Sequence, residues 1–380
     1  MKERVLMLTT VASTQEQFCL PFVKLLQEMG YDTDIVCNFS EGNNISNEQI
    51  ARFQQQLTDQ EISYYNLPFS RNPLKRQNLQ AYRELLKIIR ERKYAFIHCH
   101  TPVAGAFGRL AAHKTQTKII YMAHGFHFYK GAPLKNKLIY YPIEKICSYM
   151  TDIIITINEE DTVFAKRKLK AKKIYYLPGV GIDIHRFSKA ELSNEERQRK
   201  RLEIDVPADV VMMLSVGELN QNKNHILVIK TMPGLPHNIH YVIAGIDKMS
   251  GAAAQLAQEL GVADRIHFLG YRRDVGELCD ISDVFVLPSV REGLSVSLME
   301  AMAKGLPCAV SRIRGNVDLI DENGGSLFSA HDVQDCKRAI MQIMQADRQA
   351  MGMHNRQKIR AFSREEVLRK MRKIYEEIAL

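Results

Sequence analysis

The first half of the chain alternates between short apolar runs rich in β-branched residues and longer stretches whose apolar residues recur at helical spacing. The short runs predict strands at residues 4–10, 33–37, 96–100, 118–123, 152–157 and 174–177. The longer stretches predict helices at residues 14–29, 78–92, 103–113, 134–149 and 159–169. Because strands and helices alternate, the pattern indicates a parallel sheet with helices on both faces.

The second half repeats this pattern. Strands are predicted at residues 210–216, 240–244, 265–269, 284–287 and 308–310, and helices at 224–231, 252–260, 295–304, 333–345 and 364–378. Pro178, Gly179 and Gly181 mark a hinge, followed by a charged helix at 191–201. We therefore predict an α/β protein of two Rossmann-like, doubly wound domains, 1–178 and 179–361, facing across a cleft. The C-terminal helix, 362–380, is predicted to pack back on the first domain.

The excess positive charge lies in the first half. The chain of 380 residues has a net charge of +9, and residues 1–180 hold 25 Lys and Arg against 16 Asp and Glu. Such asymmetry indicates a polyanionic partner: nucleic acid, a phosphorylated substrate or an anionic membrane face. A chance bias of a solvated surface is the alternative.

The cysteines and the hydropathy pattern indicate a cellular location. None of the 7 cysteines forms a CxxC pair. No apolar run approaches the ~18 residues that would suggest a membrane span, and no signal peptide is recognisable. These observations predict a reduced, cytoplasmic protein.

The strongest chemical signal is a strand, loop and helix over residues 284–307. Glu292 lies in the loop, Ser295 is a suitable N-cap, and Glu300 lies one to two turns into the helix. The free N–H groups of a helix N-terminus attract an anion. A phosphate there, flanked by carboxylates that accept sugar hydroxyls, would form a nucleotide-sugar site. The alternative is an ordinary amphipathic helix with two solvated glutamates.

This segment resembles the E-x7-E region of the retaining glycosyltransferases of family 4, which have the GT-B fold. The resemblance implies that Glu300 binds the donor ribose and that Glu292 contacts the donor sugar near the reacting centre. It also implies that the backbone at Gly293 and Leu294, with Ser295 at the helix start, meets the donor diphosphate.

A second match begins at Gly217 and continues through Glu218 to Lys223. The family usually has Gly-Arg-Leu followed by a Lys, and the Arg and Lys neutralise the leaving diphosphate. Lys223 is present, whereas Glu218 replaces the Arg; Arg314 or Arg291 could compensate. The variant resembles a subgroup that makes bacterial exopolysaccharide and capsule repeat units.

Histidines follow two strands of the first half. By resemblance, His124 lies beside the donor sugar, His127 and Lys130 point toward the acceptor, and His100 lines the same cleft. His98 and His100 share one face of their strand. A zinc site and polar strand-end residues satisfied by the backbone are the alternatives.

Two further segments bear on the donor site. The family's first loop often carries Gly-Gly against the diphosphate, whereas this chain has Ser13 and Thr14, which could offer a hydroxyl and N–H groups at the next helix N-terminus. Asp32 and Asp34 form a DxD, but it stands before a strand, so turn chemistry is predicted rather than metal binding.

Residues 130–146 mix lysines with aromatic and aliphatic side chains. This composition is typical of an interfacial segment, and with the basic first half it favours docking on anionic lipid. A helix that packs on its own sheet is the alternative.

Together these features predict a retaining glycosyltransferase. It would move a hexose or N-acetylhexosamine from a UDP-sugar to a polyprenyl-diphosphate-linked saccharide, in exopolysaccharide or capsule assembly at the inner membrane face. No cofactor and no metal ion are expected. The alternatives are a sugar-nucleotide epimerase of the same fold and a transferase with a soluble acceptor. A dehydrogenase is disfavoured because a full GxGxxG is missing, and a nucleic-acid binder because paired carboxylates repel phosphates.

Overall fold

The computed structural model describes residues 2–187 and 192–380. The chain divides into two units, one formed by Met1–Gly181 with Glu365–Leu380 and the other by Ile182–Arg364. Within the described residues, no helix combines the length and the apolar character needed to cross a membrane.

The first unit is built on a seven-stranded parallel sheet in the order β3-β2-β1-β4-β5-β6-β7. Its strands are β1 (Arg4–Val11), β2 (Asp32–Asn38), β3 (Ser63–Asn66), β4 (Phe96–His100), β5 (Lys118–Ala123), β6 (Ile153–Thr156) and β7 (Lys173–Tyr176). Its helices are α1 (Ala12–Thr14), α2 (Leu20–Glu28), α3 (Asn47–Asp59), α4 (Gln77–Arg92), α5 (Pro102–Thr115), α6 (Leu134–Ser148) and α7 (Glu159–Lys168). A π-helical segment, Gln15–Cys19, joins α1 to α2.

The second unit contains a six-stranded parallel sheet in the order β10-β9-β8-β11-β12-β13. Its strands are β8 (Val211–Val216), β9 (Ile239–Ala244), β10 (Ile266–Gly270), β11 (Val284–Leu287), β12 (Cys308–Ser311) and β13 (Gly325–Phe328). Its helices are α8 (Ile184–Phe187), α9 (Asn194–Leu202), α10 (His225–Thr231), α11 (Ala252–Glu259), α12 (Val275–Ile281), α13 (Val296–Ala303), α14 (Asn316–Leu319), α15 (Val333–Gln345) and α16 (Arg348–Lys358). The last helix, α17 (Arg364–Ala379), lies almost entirely in the first unit.

The predicted doubly wound α/β class is confirmed in each unit. Alternate residues of the central strands enter the two layers of helices: Met213 and Tyr241 lie in one core cluster, whereas Leu214 and Val242 lie in the other. In each sheet the strand order reverses direction at one pair of neighbours, β1 and β4 in the first and β8 and β11 in the second. Ligands of such sheets bind at the carboxyl ends of the strands beside this reversal.

Several elements depart from the sequence-based prediction. Helices α3, α8, α12, α14 and α16 and strands β3 and β13 were not predicted. Helices α3 and α16 are strongly polar, α8 and α14 have 4 residues each and α12 has 7, and both strands are short edge strands. The first helix begins at Ala12 rather than residue 14, so Ser13 and Thr14 lie in its first turn and not in a loop. The charged helix predicted at 191–201 begins at Asn194, and Glu191 lies outside the described residues.

The turn predicted at the DxD sequence is wrong. Asp34 lies inside β2, and its buried carboxylate accepts hydrogen bonds from Arg4 Nη1 at 3.0 Å, Arg92 Nε at 3.0 Å and the Tyr94 hydroxyl at 2.7 Å. A buried carboxylate needs such partners to offset its lost hydration. Asp34 therefore joins β2 to the N-terminus of β1 and to the segment that follows α4.

Candidate functional site

The candidate residues of the first unit lie at the carboxyl ends of three adjacent strands, β1, β4 and β5. Two threonines join β1 to the loop after β4: the Thr10 N–H donates to Thr101 Oγ1 at 3.1 Å, and their hydroxyl oxygens are 2.7 Å apart. Thr101 has φ of +65°. A β-branched residue in this region stores backbone strain, and such strain concentrates at functional sites.

Two of the predicted histidines are brought together here. His100 Nδ1 and His124 Nε2 are 2.9 Å apart and share a hydrogen bond. His100 is fully buried, whereas His124 is partly exposed. His124 is therefore the accessible side chain of the pair, and the buried His100 orients it through the shared hydrogen bond.

The neighbouring His98 is also buried and is fixed by the C-terminal helix. Its Nδ1 lies 2.8 Å from the hydroxyl of Tyr375 in α17. Burial lowers the pKa of His98 to about 3 and that of His124 to about 4, so both imidazoles are neutral at pH 7. Among the described residues, no three His, Cys, Asp or Glu side chains are placed to hold a metal ion.

Ser13 and Thr14 lie in α1, which directly follows β1, and the backbone N–H of Ser13 is already engaged. Its N–H donates to Asn43 Oδ1 at 2.9 Å. The Ser13 hydroxyl is buried and, among the residues that the structure describes, has no hydrogen-bond partner. An unsatisfied buried hydroxyl is costly, and the cost would be relieved by a ligand at this position.

His127 and Lys130 lie farther along the segment after β5. The His127 ring stacks on Tyr140 of α6, with centroids 4.5 Å apart. Lys130 is exposed, and its backbone N–H donates to Glu160 Oε1 at the start of α7, at 2.8 Å. These contacts place the His127 ring against α6 and the backbone of Lys130 against the start of α7.

In the second unit, two residues predicted to act on the donor contact each other. Lys223 Nζ lies 2.7 Å from Glu292 Oε1, and both side chains are mostly buried. Lys223 follows β8 and Glu292 follows β11, so the pair stands at the reversal of strand order. A charge-assisted bond of this length fixes the ammonium and the carboxylate in place.

Asparagine side chains that were not predicted hold the two loops together. The backbone carbonyl of Asn222 accepts a hydrogen bond from the Val290 N–H at 2.8 Å, and the Asn222 side-chain amide donates to the Arg291 carbonyl at 3.1 Å. Asn224 donates to the carbonyls of Pro288 and Ala330. These bonds position Lys223 and Glu292, and only the tertiary structure reveals them.

Gly217 directly follows β8 and lies against the Lys223 side chain. A Cβ at Gly217 would lie 3.0 Å from Lys223 Cε, and the residue has φ of +153°. His225 is buried between the Gly217 carbonyl, 3.3 Å from its Nε2, and the Tyr241 hydroxyl, 2.9 Å from its Nδ1. The glycine therefore makes room for the lysine, and His225 supports the turn.

The helix predicted to face the diphosphate begins as expected. Ser295 is the N-cap of α13, and its hydroxyl accepts from the Leu298 N–H. Gly293 and Leu294 directly precede Ser295. They lie so close to Gly315 that a Cβ on Gly315 would be 2.3 Å from the Gly293 carbonyl oxygen. Arg314 is buried and donates to the Glu292 carbonyl at 3.1 Å.

Of the two cations predicted to compensate for Glu218, Arg314 is the buried one. Arg291 and Glu218 are exposed, and Glu218 accepts a hydrogen bond from Asn220 at 3.2 Å.

Glu300 lies within α13 and is largely buried. Burial raises its pKa to about 7, and the charge of Arg186 opposes this rise. Without a ligand, the carboxyl therefore keeps its proton to a higher pH than an exposed glutamate does. A buried carboxyl of this kind accepts hydrogen bonds from hydroxyl groups when it ionises.

Comparison with known proteins identifies the class. The model of the glycosyl transferases group 1 matches residues 195–361, and that of the glycosyl transferase 4-like domain matches residues 4–158. A protein named as a glycosyltransferase, EpsD of Bacillus subtilis (strain 168), is 34% identical over 99% of this chain and 97% of its own. An Escherichia coli relative, UDP-Gal:alpha-D-GlcNAc-diphosphoundecaprenol alpha-1,3-galactosyltransferase, is 25% identical over 88% of this chain and 86% of its own.

Among solved structures, Anabaena Alr3699/HepE in complex with UDP and glucose has a TM-score of 0.78 at 15% identity, covering 99% of this chain and 100% of that one. The two doubly wound units thus define a glycosyltransferase of the GT-B fold. The chain belongs to family 4 of the glycosyltransferases, as the E-x7-E motif predicts.

Proposed function

We propose that the protein transfers a hexose or N-acetylhexosamine, with retention of configuration, from a UDP-sugar to a polyprenyl-diphosphate-linked saccharide. We place this reaction in exopolysaccharide or capsule assembly. The observation that carries the proposal is the Lys223–Glu292 pair, 2.7 Å apart, beside the N-terminus of α13. The name of the Escherichia coli relative, which has a UDP-sugar donor and a diphosphoundecaprenol acceptor, supports the substrate class.

In this proposal Glu300 accepts the ribose hydroxyls, and Lys223 with the N–H groups before Ser295 stabilises the diphosphate. The bond between the anomeric carbon and the diphosphate oxygen breaks, and the acceptor oxygen bonds to that carbon on the same face. The acceptor proton passes to a diphosphate oxygen. Positioned cations and dipoles supply the electrostatic stabilisation, so no metal ion and no cofactor are invoked.

The His124 imidazole is assigned to the donor sugar, and Ser13 and Thr14 to the diphosphate. Neutral His124 would accept or donate a hydrogen bond to a sugar hydroxyl without adding charge. His127 and Lys130 are assigned to the acceptor, with His100 positioning His124 through their shared hydrogen bond. The basic first half is assigned to docking on the anionic inner face of the membrane through residues 130–146.

The test is incubation of the protein with UDP- and GDP-sugars, with and without a polyprenyl-diphosphate-linked saccharide, and analysis of the product anomer by NMR. We expect transfer from one UDP-sugar, only with the lipid-linked acceptor and with retention. Conversion of the UDP-sugar without acceptor would instead support an epimerase. Transfer with inversion, or to a soluble sugar alone, would contradict the proposal.

A further inference from the structure

A chain of buried polar contacts runs behind the donor residues of the second unit. It begins at the Gly217 carbonyl, passes through the side chains of His225, Tyr241 and Ser215, and ends at the Val286 carbonyl. The three side chains are at most 2% exposed. Since Tyr241 lies in β9, Ser215 in β8 and Val286 in β11, the chain connects the turn after β8 with the last strand before α13.

The direction of three of these hydrogen bonds follows from the Val286 end of the chain. A carbonyl oxygen can only accept, so the Ser215 hydroxyl donates to Val286. Ser215 has then used its only proton, so it accepts from the Tyr241 hydroxyl at 2.8 Å. Tyr241 in turn has no proton left, and its oxygen accepts from His225 Nδ1 at 2.9 Å. The chain therefore places the His225 proton on Nδ1.

The other nitrogen of His225 is then unprotonated. Burial lowers the pKa of His225 to about 4, so the ring is neutral at pH 7 and carries a single N–H. With that proton on Nδ1, Nε2 faces the Gly217 carbonyl oxygen without a proton between them. Their separation of 3.3 Å is the longest in the chain, in agreement with this arrangement. His225 thus supports the Gly217 turn by packing against it, and the Tyr241 hydroxyl holds the ring there.

The position of this turn matters to Lys223. A Cβ at Gly217 would lie 3.0 Å from Lys223 Cε and 3.2 Å from Lys223 Cδ, so the lysine side chain runs along the turn. The Lys223 ammonium is in turn 2.7 Å from Glu292. A small shift of the turn therefore moves the ammonium that the proposed function assigns to the donor diphosphate, and small misplacements of such groups are costly.

We infer that Tyr241 is a positioning residue for the donor diphosphate. Its hydroxyl fixes the proton of His225 on Nδ1 and holds the His225 ring against the Gly217 turn, and this turn places Lys223. Ser215, which bonds Tyr241 rather than His225, acts in the same way because it accepts the Tyr241 proton. The inference rests on the proposed function, which gives Lys223 its role, and it adds residues that need not touch a substrate.

The first test determines the His225 tautomer by NMR of the full chain with ¹⁵N-labelled histidine; His225→Gln identifies the His225 signals by their loss. We expect the proton on Nδ1 in the wild type. In Tyr241→Phe the Nδ1 acceptor is gone, and in Ser215→Ala the Tyr241 hydroxyl is free to donate to Nδ1. Both variants should therefore carry the proton on Nε2, bonded to the Gly217 carbonyl. A proton on Nε2 in the wild type, or the same tautomer in all three proteins, would overturn the inference.

The second test is calorimetric titration with UDP. Tyr241→Phe should bind UDP roughly fivefold more weakly than the wild type, the worth of one net hydrogen bond. Tyr94→Phe is the matched control, because it removes another buried tyrosine hydroxyl, which bonds Asp34 at 2.7 Å in the first unit. It should bind UDP as the wild type does, and the melting transition of each variant shows that it is folded.

Equal UDP affinity in Tyr241→Phe and the wild type would contradict the positioning role, as would an equal loss in Tyr94→Phe. A wild type that binds no UDP would instead reject the proposed donor site. The tautomer test needs neither UDP nor transfer, so the two failures are distinguishable.

Discussion

The protonation of Glu300 gives a quantitative test of the donor site. Burial raises its pKa from 4.5 to about 7, and the ribose hydroxyls of a donor would hydrogen-bond the carboxylate form. UDP binding should therefore favour ionisation and release a proton near neutral pH. We expect the UDP association constant to rise roughly tenfold from pH 6 to pH 8, because the ionised fraction of such a carboxyl rises from about a tenth to about nine tenths.

Glu300→Gln removes this ionisation and is nearly isosteric. The variant should bind UDP roughly ten- to a hundredfold more weakly at pH 8, the value of one charge-assisted hydrogen bond of ~1.5–3 kcal/mol. The terminal phosphate of UDP also titrates near pH 6. The pH dependence that remains in Glu300→Gln belongs to the ligand, and the difference from the wild type belongs to Glu300. Calorimetry in buffers of different ionisation enthalpy counts the released protons directly.

The stability of the ligand-free protein tests the Glu300 pKa independently. Ionisation of Glu300 favours UDP binding but disfavours folding. Because the folded pKa lies above the unfolded value, ionisation of Glu300 destabilises the ligand-free protein as pH rises from about 4.5 to about 7. A pKa difference of this size corresponds to on the order of 3 kcal/mol. Glu300→Gln should therefore melt several degrees above the wild type at pH 8, and the two should converge near pH 5.

Glu292→Gln is the matched control, because Glu292 is assigned to the sugar rather than the ribose. Because a Gln amide oxygen can still accept the hydrogen bond from Lys223, UDP affinity should fall less than in Glu300→Gln and should keep the pH dependence of the wild type, whereas kcat should fall. Equal loss of UDP affinity in both variants, or the same pH dependence in Glu300→Gln as in the wild type, would refute the assignment of the two roles.

Four further outcomes are expected. Measured by calorimetry, Lys223→Gln should weaken UDP binding at least tenfold. Lys223→Arg should weaken it much less, because arginine keeps the positive charge that glutamine lacks. Transferase activity should persist in excess EDTA; loss of activity restored by Mn²⁺ would contradict metal independence. Since the chain has no Trp, Leu138→Trp introduces a single fluorescent reporter on α6. Its emission should shift to the blue on anionic vesicles, and the shift should shrink as salt rises. Leu74→Trp, at an exposed site outside α6, is the control and should not respond. Arg109→Gln, which breaks the buried ion pair of Arg109 with Glu144, should lower the free energy of unfolding by ~3–5 kcal/mol in a denaturant titration, and Arg109→Met with Glu144→Leu should recover most of it.

The sheet was largely predictable from the sequence. Every predicted strand agrees with the structure within one residue at either end, because buried parallel strands are apolar and β-branched along their whole length. Helix α3 was missed although its signal was present: Ser46 and Gln49 form a capping box at its start. Strand β3 has the sequence Ser-Tyr-Tyr-Asn at the sheet edge, so no apolar run marks it.

The site was predictable only where a motif marks it. Lys223 and Glu292 were found because they belong to two motifs, and the parallel topology then brings both to one edge of the sheet. Their supports could not be found, since Asn222 and Asn224 act through backbone groups about 70 residues away. Likewise, nothing in the sequence connects Asn43 to the N–H of Ser13.

The replacement of the family's arginine by Glu218 has a physical explanation in the second unit. A glutamate beside a diphosphate would be repulsive, but Glu218 is exposed and its carboxylate is engaged by Asn220. Arg314, by contrast, is buried and bonds the backbone of Glu292, where its positive charge is little screened by water. We propose that Arg314, in the loop after β12, supplies the second cation in place of an arginine after β8. Arg314→Gln should then lower UDP affinity, whereas Glu218→Gln should leave it unchanged; the reverse pattern would show that the lost arginine has no replacement.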